Sequence, residues 1–98
     1  MFSYDRVLPI GSVVFLKGAE QRVMILGYQR MSANTADKTI YDYCGCPYPQ
    51  GFLSAEKTAI FNHDMIDRII SVGLQNEAYD RLADKVREII DERENSEE

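Results

Sequence analysis

The sequence predicts a mainly β domain completed by a single C-terminal helix, and three observations carry that expectation. Short runs rich in β-branched and aromatic residues, separated by turns containing Gly or Pro, recur between residues 10 and 61. An unambiguous helical spacing of apolar residues occurs once, late in the chain, at Tyr79, Leu82, Ala83, Val86, Ile89 and Ile90. The length of 98 residues, with 45% hydrophobic and 28% charged residues, suits one core and is too short for two.

The elements follow in order. Ile10–Lys17 reads as a first strand and Gln21–Tyr28 as a second, joined by the turn Gly18-Ala19-Glu20 into a hairpin. Val13–Leu16 and Val23–Leu26 are continuous apolar runs. Strands of that kind are covered on both faces, by barrel closure or by a packed helix. The polar segment Ser32–Lys38 reads as an exposed loop. Thr39–Cys46 alternates and forms a third strand. Pro47–Gly51 is a turn, Phe52-Leu53 begins a short return strand, and Thr58–Phe61 forms a further one.

The stretch from Asn62 to Val72 admits two readings. Met65, Ile66, Ile69 and Ile70 share a helical face that Asn62 could cap. The same residues also suit one helical turn at His63–Ile66 followed by a strand at Arg68–Val72. Gly73 ends either version. Asn76 then caps the last helix, with Glu77 and Asp80 at its positive end. Residues 1–75 are thus expected to be a β domain, 76–92 a helix of that domain, and 93–98 an acidic tail.

Charge narrows the function. The formal net charge is −5, and residues 91–98 hold five acids and one base, leaving about −1 for the rest. Neither part offers the basic surface that phosphate backbones need, so nucleic acid is not an expected partner. No apolar run reaches the roughly 18 residues of a membrane span, and the start of the chain lacks the pattern of a secretory signal. Two cysteines imply no disulfide framework, and a reducing cytoplasm is the expected home.

Little in the chain suggests catalysis. His63 is the only histidine, and no serine or cysteine is placed beside it by a nucleophile motif. Its place between Asn62 and Asp64 suits a capping or solvent role. Cys44 and Cys46 would point to one face of a strand, but a zinc site requires a second ligand pair that the sequence does not supply. The six glycines form no phosphate-cradling loop. The expectation is a protein that is not an enzyme, with no catalytic residue, no metal and no cofactor.

The aromatic cluster points elsewhere. Tyr41 and Tyr43 share one strand face, and Tyr48 and Phe52 flank the Pro-Gln-Gly turn. Aromatics bury large area at low entropy cost and serve as interface anchors, although they also fill small cores. Along the last helix, Tyr79 and Leu82 follow Gly73 closely and are assigned to the domain's own packing. Val86, Ile89 and Ile90 project farther and are assigned to a protein–protein surface. The expected protein-binding residues are therefore Tyr41, Tyr43, Tyr48, Val86, Ile89 and Ile90.

Leu8-Pro-Ile-Gly-Ser-Val-Val-Phe-Leu-Lys-Gly18, Val23-Met-Ile-Leu-Gly27, Tyr41-Asp-Tyr-Cys-Gly-Cys-Pro-Tyr-Pro-Gln-Gly-Phe52 and Phe61-Asn-His-Asp64 follow in that order. Together they resemble domain-of-unknown-function family 4176, over about residues 8–73. The resemblance implies a small cytoplasmic accessory protein that binds an LXG-type toxin and assists its export by the type VIIb secretion system of Gram-positive bacteria. It implies no cofactor and no catalytic residue. It also implies a strongly bent Src-homology-3-like barrel of about five strands, in which one helical turn precedes the last strand. That favours the turn-and-strand reading of Asn62–Val72. An immunity protein that neutralises the toxin is the alternative, and a generic small-barrel binding module a further one. The expected partner is the toxin, with a second copy of this chain also able to use the helix.

Overall fold

Val13–Leu16 (β1) and Arg22–Met31 (β2) pair antiparallel, with Val13 opposite Met24 and Phe15 opposite Arg22. The computed structural model describes residues 6–31 and 39–96, with side chains through Glu92. The expected loop at Ser32–Lys38 lies outside the described residues. Ile40–Tyr48 (β3) returns along β2, and Ala59–Phe61 (β4) pairs with β3. Ile66–Ser71 (β5) then crosses to the far side and pairs with β1. The result is one antiparallel sheet in the order β4-β3-β2-β1-β5.

The mainly β architecture with one C-terminal helix is present as expected. The sheet, however, is not closed. Among the described residues β4 and β5 each have a single neighbour, so the barrel expected from the resemblance is not confirmed. Three register shifts interrupt the ladders, leaving Leu26 bulged on β2 and Asp67 and Ile70 bulged on β5. Bulges of this kind bend a strand and strengthen its twist.

The ambiguous stretch resolves into a 3-10 turn at His63–Met65 followed directly by β5. The Met65 N–H donates to the Asn62 carbonyl at 2.9 Å and closes that turn. Two other boundaries differ from the sequence reading. The third strand continues through Pro47 to Tyr48. β4 pairs only with Tyr43–Gly45, so one side of β3 is unpaired at Pro47, where a missing N–H is tolerated. Phe52 and Leu53 do not begin a strand. The Gly51 N–H donates to the Pro47 carbonyl at 2.8 Å, and Gly51 at φ +83° turns the chain away from the sheet. A 3-10 turn at Ala55–Lys57 intervenes before β4.

The helix (α1) runs from Glu77 to Ser96, longer than expected. Asn76 caps it as the sequence suggests, its Oδ1 accepting the Tyr79 N–H at 2.9 Å. Tyr79, Ala83 and Val86 are buried and Ile90 is partly buried, a stripe that closes the core formed by Val14, Val23, Ile25, Tyr43, Phe61 and Ile66. Between helix and sheet runs Val7-Leu8-Pro9, all three buried. Its peptide groups are satisfied by tyrosines. Tyr43 Oη accepts the Leu8 N–H at 2.9 Å, Tyr28 Oη donates to the Leu8 carbonyl, and Tyr79 Oη donates to the Val7 carbonyl at 2.6 Å. Arg6 extends the attachment by pairing with Asp80 at 3.0 Å and lying over the Tyr79 ring.

Candidate protein-binding surface

The six residues expected to bind protein do not come together. Tyr43 is 0% exposed, its ring packed beside Tyr28, Phe61 and His63. It belongs to the core because its strand neighbours on that face look inward, and its hydroxyl is occupied by Leu8. Its assignment to an interface is therefore corrected. Val86 is 4% exposed and lies in the same core, which corrects a second assignment. The physical reason is helical phase: Val86 sits within about 20° of Tyr79 around an axis that advances 100° per residue. Ile90, also in phase, is partly buried against the core, so it too is chiefly a packing residue.

Leu82 and Ile89 lie roughly 60–80° to one side of that stripe by the same geometry. They are 44% and 49% exposed. Ile89 thus stands on the surface as expected, whereas Leu82 exchanges roles with Val86. Tyr41 is half-buried on β3, and Tyr48 is exposed at its end. Beyond the sheet, Phe52 and Leu53 project at 63% and 54% exposure, the largest apolar protrusion of the β3–β4 connection.

A second surface went unread in the sequence. Residues paired across strands share a face, so Val13, Met24 and Cys46 form one row on the side of the sheet opposite Val14 and Val23, with Val13 and Cys46 buried and Met24 half-buried. Arg68, Phe15, Arg22 and Tyr48 form the next row, across four strands. The Arg68 guanidinium lies 4.6 Å from the Phe15 ring centre, and that of Arg22 lies 5.3 Å from the ring of Tyr48. Both distances suit cation–π contact. Both arginines are exposed, and among the described residues neither forms an ion pair. Alternation in Val13–Phe15 and Arg22–Met24 was the available signal, hidden because the intervening positions are also apolar.

His63 joins the core network. Its Nδ1 lies 2.6 Å from Tyr43 Oη, and its backbone N–H donates to Asp42 Oδ2 at 2.9 Å. The Asp42 N–H in turn donates to Asn62 Oδ1 at 3.1 Å, clamping the 3-10 turn to β3. Burial holds the imidazole pKa below its ordinary 6.5, against the opposing pull of the Asp42 and Asp64 carboxylates. Burial also pushes the Tyr43 phenol well above its usual value, with the Leu8 N–H acting against it. Tyr43 therefore stays protonated and His63 neutral near pH 7. Cys44 and Cys46 are free thiols on the outer face of β3, Cys46 buried. Among the described residues, no group of three or more His, Cys, Asp or Glu is placed to hold a metal ion, and no helix is long and apolar enough to cross a membrane.

Residues 7–82 match the family model described as Domain of unknown function (DUF4176). The chain belongs to this family. The match covers the whole sheet, the tyrosine-held segment and the first turns of α1, and it stops short of Ile89. No curated protein and no solved structure matches the chain.

Proposed function

We propose that this chain is a cytoplasmic accessory protein that binds an LXG-type toxin and assists its export by the type VIIb secretion system, acting as a chaperone or adaptor and not as an enzyme. The observation that carries the reading is where Phe52 stands. It closes the longest motif behind the family resemblance, yet it packs against no core, protruding with Leu53 from a turn fixed by Gly51. An exposed aromatic beside an exposed aliphatic costs solubility and is suited to anchoring a partner. The strand order and the single 3-10 turn before β5 also support placing the bent sheet with Src-homology-3-like barrels.

The test is co-expression with an LXG toxin encoded beside it. The two proteins are expected to co-elute in size-exclusion chromatography at micromolar concentration, and deletion of this protein is expected to abolish toxin export. Separate peaks would remove the reading. If deletion instead poisoned the producing cell while export continued, the protein would be an immunity factor.

A further inference from the structure

We infer that the outer face of the sheet is a docking site for an acidic amphipathic helix of a protein partner, a deepening that rests on the protein-binding role proposed above. The face has a specific charge geometry. The guanidinium of Arg68 is held over Phe15 on β1, and that of Arg22 over Tyr48 on β3. β1 and β3 are two strand spacings apart, so the two charges stand roughly 10 Å from one another. Among the described residues neither has a carboxylate partner within the chain. Met24 lies beside that row, half-buried, two residues along the intervening strand from Arg22. The surface thus offers two cations on aromatic platforms with an apolar floor, the residue types enriched at interface anchors.

An α-helix rises 1.5 Å per residue, so side chains seven apart on one face are separated by about 10.5 Å. Glu or Asp at i and i+7 would meet Arg22 and Arg68, and an apolar residue at i+3 or i+4 would rest on the aliphatic stem of Arg22 and reach Met24 beside it. Asp67 is the nearest acidic residue in sequence to Arg68, and its bulged place on β5 takes it out of the paired row. The chain's own helix does not supply the occupant. Its acids at heptad spacing are Glu77, Asp84 and Asp91, and the positions between them are Asp80, Arg81, Arg87 and Glu88, with no apolar residue to seat. Charge and spacing together therefore favour a different chain over a second copy.

The test uses the full chain, ¹⁵N-labelled, and two capped 16-residue helical peptides on an alanine background. One carries Glu at i and i+7 with Leu at i+3 and i+4; the other replaces both Glu by Lys. The acidic peptide is expected to shift the amide signals of Phe15, Arg22, Met24, Tyr48 and Arg68, and to bind about tenfold more tightly than the Lys peptide. R22E/R68E should abolish that preference. R22Q/R68Q, which removes charge with less perturbation, should reduce it, and thermal melts establish that both variants fold. Equal binding of the two peptides, or shifts confined to α1, would overturn the inference. So would concentration-dependent dimerisation that R22E/R68E removes, because a second copy would then occupy the face. A toxin that co-purifies undiminished with R22E/R68E would overturn it while leaving the proposed function standing. Peptide binding without toxin binding would keep the site and remove the toxin.

Discussion

The phenolic oxygen of Tyr43 stands between Leu8 N, at 2.9 Å, and His63 Nδ1, at 2.6 Å. With the Leu8 N–H donating to that oxygen, the arrangement that satisfies all three groups has the phenol donating to Nδ1, which places the imidazole proton on Nε2. One hydroxyl thereby ties the N-terminal segment, β3 and the turn before β5 together. Tyr43→Phe keeps the packed ring but strands the Leu8 N–H and the imidazole nitrogen. A loss of about 1–3 kcal/mol is expected, read as a lower urea midpoint with an unchanged slope. An unaltered midpoint would show that the hydroxyl is replaceable.

Protonation of His63 acts on the same junction. Its folded pKa lies below the ordinary 6.5, so as pH falls the unfolded chain takes up the proton first. The stabilising contribution is therefore complete above about pH 6.5. It is lost as pH falls through the folded value, where imidazolium can no longer accept from Tyr43. With one histidine in the chain, an NMR titration of the ring protons is unambiguous. A midpoint below 6.5 is expected, and His63→Gln should flatten this part of the stability profile. A midpoint above 6.5 would mean that Asp42 and Asp64 outweigh burial.

On the helix, Val86→Asp and Ile89→Asp should separate cleanly. The first places an unpaired charge in the core and should cost on the order of 3–5 kcal/mol, enough to unfold much of a domain this size. The second adds a charge at a half-exposed position and should change stability by no more than about 0.5 kcal/mol. Two thermal melts decide it, and similar losses for both would mean that Ile89 is also packed.

These two substitutions mark what the sequence could and could not tell. Five of the strands, the Asn76 cap and the exposure of Ile89 follow from local patterns and are present, whereas the short strand expected at Phe52-Leu53 is not. The partition of Val86 and Leu82 did not follow. It depends on helical phase relative to Tyr79, which was hidden because the flank beside the buried stripe also carries the aliphatics Leu82 and Ile89. Tyr43 and Tyr41 likewise look equivalent in an alternating strand. Contacts distant in sequence make Tyr43 a core residue: the rings of Tyr28 and Phe61, and Leu8 from 35 residues away. The arginine–aromatic row joins β5 to β1, β2 and β3, and no local pattern encodes such a pairing.

Gly73 allows a close crossing of chain segments. A Cβ there would stand 2.1 Å from the Ile10 carbonyl oxygen, and the Gly73 N–H donates to Ser12 Oγ at 3.0 Å. Backbone cannot swing aside as a side chain can, so Gly73→Ala should be markedly destabilising, by more than the roughly 1 kcal/mol by which alanine ordinarily outperforms glycine in an unstrained position. Chemical denaturation measures it directly, and a neutral result would show that the β5–α1 connection can shift outward.

Replacing Phe52 and Leu53 by serine should leave the melting temperature within a few degrees while weakening co-elution with the proposed toxin partner. A large fall in melting temperature would instead assign these residues to the protein's own packing.

The tyrosine-held segment has a further consequence, for synthesis. Tyr79 reaches back 72 residues to the Val7 carbonyl. The strands can therefore pair while translation continues, but Val7 and Leu8 have no lid until α1 has left the ribosome tunnel. At about 5–20 residues per second, the apolar face of the nascent sheet stands open for some seconds, ready for any hydrophobic neighbour emerging nearby. A stop codon placed just after Asn76 would make that interval permanent, and such a truncated chain is expected to aggregate.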